Sequence, residues 1–165
     1  MPLSDGSIRP IFAGWERYNE RLIDGLRGRS AAELALSVGA AYLPIWAIAG
    51  HTAGARVYWL CAVFGEPGAE TTPFTDPTGF GWEDDLDTPR SAEELVWALE
   101  SSWRIVAGCL ERWTPAMLGE TFRRERRGQV QLHPRQSVLV RLLAHDAYHA
   151  GEIALIKGYY GLPTV

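Results

Sequence analysis

The chain has 165 residues, 47% of them hydrophobic and 22% charged, with a formal net charge of -4, the balance of one ordinary globular domain spanning residues 1–165. This excludes disorder and collagen-like repeats, and the acidic excess argues against nucleic acid, whose phosphates demand a clustered surplus of Lys and Arg. Cys61 and Cys109 stand in apolar stretches without CxxC spacing and read as reduced core thiols of a cytoplasmic protein. No basic segment followed by an apolar one is visible at the start. The uncharged stretch 34–55 is diluted by Ser37, Gly39, Pro44, Gly50 and His51, so neither secretion nor a membrane span is expected.

In chain order, Ile11, Phe12, Trp15, Tyr18, Leu22, Ile23 and Leu26 recur at three and four residues and predict an amphipathic helix ending near Gly28. Ser30 and Glu33 have the spacing of a capping box and predict a short helical turn. A second long helix is expected from Pro44, in its first turn, to about Phe64, apolar all round and therefore deeply buried. Residues 65–89 lack sustained period, and so long a connection suggests a lid or binding loop pinned by Phe74, Phe80 and Trp82, with Asp84, Asp85 and Asp87 as an exposed acidic run.

A second capping box, Ser91 with Glu94, starts the third helix, which Leu95, Leu99, Trp103, Val106, Leu110 and Trp113 continue. Residues 119–133 read as loop with a short extended hairpin around Gly128. Pro134 can open the fourth helix, which runs to about Tyr159 before Gly161 and Pro163 stop it. The expected class is all-α, a four-helix bundle with long connections.

On the fourth helix Val138, Leu142, His145, His149, Glu152 and Ile156 step by three and four and so share one stripe. The i, i+4 spacing of His145 and His149 lets two imidazoles grip one ion; the alternative is a pair of core histidines, each needing its own hydrogen-bond acceptor. His51, among Ala47, Gly50, Gly54 and Ala55 on the second helix, is a candidate third ligand, and a three-histidine set leaves an open coordination position of the catalytic type. His133, beside Pro134, reads as a helix-end or surface residue.

His51 within AIAGHTAGARVYWL and the HxxxH within LLAHDAYHAGEIAL resemble the DinB-like (DinB/YfiT) metal-binding four-helix bundles. The resemblance covers most of the chain. It implies His51, His145 and His149 as ligands of a divalent metal, zinc or nickel, and a homodimer. It further implies a metal-dependent enzyme that performs S-transfer with a low-molecular-weight thiol cosubstrate, isomerisation or hydrolysis on a small molecule, or else a non-catalytic metal-binding or stress-response module. Many relatives carry glutamine after the second histidine where this chain has Glu152 in HAGE.

Glu152 is the candidate catalytic residue: on the histidine stripe it can be a fourth ligand, orient an imidazole or take a proton, the plainer alternative being a partner for Arg56 or Arg141. Arg123, Arg124, Arg126 and Arg127 read first as a solvated run, and alternatively as a fork for the carboxylate of an anionic substrate. Seven tryptophans are a heavy load for a bundle of this size. Most belong in the core, and the remainder would leave an apolar face suited to a second copy.

Overall fold

The computed structural model describes residues 6–75 and 85–164. The chain enters through a single 3-10 turn over Arg9–Phe12 and begins its first true helix, α1, at Glu16–Leu26. The start therefore falls later than the apolar period suggests, because Pro10 serves the tight turn and Trp15, not a capping side chain, precedes the helix. Leu22, Ile23 and Leu26 face the core, and Gly28 turns the chain at φ +70, a left-handed conformation that a Cβ would strain. Ser30 and Glu33 form the complete reciprocal capping box of a one-turn α2, Ala31–Leu34. Its bonds to Ser30 and Arg29 draw the Glu33 carboxyl down to a pKa of about 2.

Pro44 sits at the N-cap of α3, Ile45–Val57, just outside the first turn where it was expected. Nearly every side chain of α3 is buried. The helix does not run unbroken to Phe64: past Val57 it widens into a π-helical turn, Tyr58–Val63, which shifts the side-chain azimuth at its end. In the connection that follows, a 3-10 turn over Ala69–Thr71 precedes Phe74, which is 3% exposed. Phe80, Trp82 and Asp84, in the middle of the expected lid, lie outside the described residues. Asp85 accepts a hydrogen bond from Arg90 at the far end of the connection.

The second capping box forms as expected and opens α4, Ala92–Arg112. Strands β1 (Thr121–Arg126) and β2 (Gln129–Pro134) then pair antiparallel, Phe122 opposite His133 and Arg124 opposite Gln131. The hairpin pivots on Arg127 at φ 53 and Gly128 at φ 73, the two positive values that a tight two-residue turn requires. Helix α5, Arg135–Tyr159, closes the chain and ends where Gly161 adopts φ +70.

Neighbouring helices round the bundle run α1, α4, α3, α5, so α3 and α5 share one seam and α1 and α4 lie across from it. The core between them holds Trp15, Trp46, Trp59 and Trp113, whereas Trp97 is 48% exposed on α4. Both thiols are free, and burial pushes Cys61 up to about 11 and Cys109 up to about 12. No helix among the described residues is long and apolar enough to cross a membrane.

Candidate metal centre

The α3–α5 seam brings the three histidines singled out in the sequence to one point. His145 Nε2 lies 3.1 Å from His51 Nε2 and 3.2 Å from His149 Nε2. The rings are steeply tilted to one another, at 58°, 87° and 80°, so the nitrogens converge edgewise and the rings do not stack. One potential ligand atom from each residue lies within 4.8 Å of the others. Ala47, Gly50 and Gly54, all buried, bracket His51 on α3, which packs on α5.

The protonation pattern follows from the hydrogen bonds. His149 Nδ1 lies 2.8 Å from Glu152 Oε2, and an ionised carboxylate can only accept, so Nδ1 carries the proton. The Nε2 lone pair of His149 then faces the other two imidazoles. Burial, first, then His149 and His51, with Arg56 and Arg141 behind them, push the pKa of His145 down to about 3. Its imidazole is therefore neutral throughout the physiological range. A proton on His145 Nε2 can be directed well to only one of its two nitrogen neighbours, so three neutral imidazoles cannot satisfy one another, whereas one divalent cation satisfies all three lone pairs. The donor set thus fits a metal. It also has a gap in its outer support: His145 Nδ1 is buried without a hydrogen-bond partner among the described residues.

Glu152 stands on the far side of His149 from the cluster, bound to its Nδ1 with 29% of the side chain exposed. Neither arginine considered as its partner takes that role. Arg56 pairs with Asp146, and Arg141 lies over the ring of Trp59.

Part of the basic run lies next along the seam. Arg124 of the basic run turns inward and donates from Nε to the Tyr58 hydroxyl at 2.6 Å, while Arg123 pairs with exposed Glu125. His133 lies at the end of β2, just before the Pro134 cap of α5, with its ring 4.8 Å from that of Trp59. Strand alternation is the signal that could have found this, since Phe122 and Arg124 are the two half-buried residues of β1.

The sequence pattern of the DinB superfamily matches residues 15–153, which takes in all three histidines and Glu152. Among solved structures, the chain is similar to a DinB-like protein from Bacillus cereus ATCC 10987, with 17% identity, 98% of this chain and 97% of that one covered, and a TM-score of 0.72. At that identity the likeness concerns the fold. No curated protein matches the chain.

Proposed function

Because the chain belongs to the DinB superfamily, we propose that His51, His145 and His149 hold one divalent cation, zinc or nickel, through their Nε2 atoms, and that the centre serves an enzyme acting on a small molecule. The observation that carries this reading is the convergence of the three Nε2 atoms, with the His149 tautomer set from behind by Glu152. A three-histidine ion supplies Lewis acidity toward a water, a small thiol or a substrate oxygen in its open position. The chain's own part is positional. Close packing of α3 on α5 fixes the angle between His51 and the other two ligands, and Glu152 holds the His149 ring and its proton. Thiol-dependent S-transfer, isomerisation and hydrolysis are the reaction classes suited to such a centre.

Metal analysis of the purified chain tests the proposal. One ion per chain is expected, lost when all three histidines are replaced by alanine in a protein that keeps its helical circular dichroism. Undiminished stoichiometry in that folded variant would overturn the ligand assignment. Consumption of a small thiol by an electrophilic aryl halide, compared between the zinc-loaded chain and the triple variant, tests the enzymatic part. Equal rates in the two would leave a binding module.

A further inference from the structure

Along the α3–α5 seam, on the hairpin side of the histidines, two guanidinium groups share one indole. The Arg124 guanidinium carbon is 4.8 Å from the centre of the Trp59 ring and that of Arg141 is 4.7 Å from it. Arg124 also lies over Tyr58 at 5.0 Å and donates to its hydroxyl. Trp59 is 6% exposed, and His133 closes the edge of its ring.

The placement belongs to the seam. Arg141 precedes His145 by one helical turn on α5, and Tyr58 follows His51 by two turns on α3, so the arginines begin about 6–10 Å from the histidines along the helix axes. Helical period sets Arg141, His145 and Glu152 on one stripe of α5. The π-helical turn begins at Tyr58, and the hairpin supplies Arg124 from the opposite side.

Two like charges gathered at one indole repel, and their cation–π attraction to the ring acts against this. Among the described residues neither Arg124 nor Arg141 meets a carboxylate: Glu125 is taken by Arg123, Glu66 by Arg112 and Arg135, and Glu152 by His149. His133 offers no negative charge either; its pKa is lowered, by burial first and then by Arg141 and Arg124. An oxyanion between the guanidinium groups would relieve the repulsion and receive their planar donor pattern.

Resting on the metal reading above, we infer that the centre takes a carboxylate-bearing small molecule, its carboxylate held by Arg124 and Arg141 over Trp59 while its reacting end reaches the three histidines. The arginines act as specificity residues. Tyr58 holds Arg124 in place through its hydroxyl, and the Trp59 indole packs against both guanidinium groups.

The probe is a series of alkyl hydroxamic acids with a terminal carboxylate on tails of about three to seven methylenes, enough to bridge the span estimated above. Each is compared with its methyl ester by calorimetry on the zinc-loaded chain. At the fitting length the acid should bind at least about tenfold tighter than the ester, as expected for a charge-assisted fork. That preference should vanish in Arg124→Gln with Arg141→Gln, fall in Arg141→Gln alone, and survive in Arg126→Gln on the exposed part of the hairpin. Equal affinity of acid and ester at every length, or a preference that persists in the double variant, overturns the inference. Failure of the metal reading looks different, because the chain then takes up no zinc. In that case simple dicarboxylates of the same lengths are titrated into the metal-free chain while the indole resonance of Trp59 is followed; a shift abolished by the double variant supports the arginine pair, and no shift overturns it.

Discussion

Arg56 and Asp146 are both completely buried and face each other through two hydrogen bonds, Nε to Oδ1 at 3.1 Å and Nη2 to Oδ2 at 2.9 Å. The remaining donors of Arg56 reach Asn19 on α1 and both the Leu99 carbonyl and Ser102 on α4, and Trp15 donates to Asp146 Oδ2 at 2.6 Å. One guanidinium on α3 thus ties together all four long helices. Asp146 is the neighbour of His145, so this network holds the α5 azimuth from which both metal-site imidazoles project. Asp146→Ala should lower the unfolding free energy by about 3–5 kcal/mol, because it strands a buried charge. Joint replacement of Arg56 by Met and Asp146 by Leu should cost markedly less. Urea melts of the three proteins check this, and equal losses in the single and double variants would refute it.

For Glu152, the bond to His149 Nδ1 predicts an effect on binding before any effect on turnover. Glu152→Ala should reduce zinc affinity by about 10–100-fold while the fold persists, and Glu152→Gln, which keeps an acceptor but no charge, should fall between. Competition with a chromogenic chelator measures both. Unchanged affinity together with lost turnover would instead make the carboxylate a proton acceptor in the reaction.

Arg127 is the sole non-glycine residue at positive φ among the described residues, and it forms the hairpin turn with Gly128. Asparagine tolerates that conformation better. Arg127→Asn should therefore stabilise the hairpin by about 0.5–1 kcal/mol. Slower amide exchange of Arg124 and Gln131, a hydrogen-bonded pair of the hairpin, would show it in the variant; unchanged exchange would mean the turn is not strained.

A homodimer remains our proposal from the exposed apolar surface. Tyr148, Leu155 and Tyr159 on the outer side of α5 are 68%, 74% and 73% exposed, more than a solitary bundle needs to leave uncovered. Light scattering at micromolar concentration should give twice the chain mass, and Leu155→Glu with Tyr159→Glu should halve it. A monomeric mass for the parent chain would dismiss the proposal.

Local physics made much of this molecule legible without coordinates. Both capping boxes formed, since Ser30 with Glu33 and Ser91 with Glu94 need only their own spacing to satisfy the first amides of a helix. The stripe of His145, His149 and Glu152 likewise follows from 3.6 residues per turn. Hence the helical fold and the candidate ligands could be named from the sequence. Whether His51 meets the other two depended on which helices become neighbours, and that was settled by packing throughout the bundle, which sets α5 beside α3. Tertiary structure alone turned Arg56 toward Asp146, placed Glu152 behind His149, and folded Arg124 and His133 onto Trp59. Each of these contacts joins residues on different elements or depends on the direction a side chain takes once its neighbours crowd it, and a one-dimensional pattern carries no record of either.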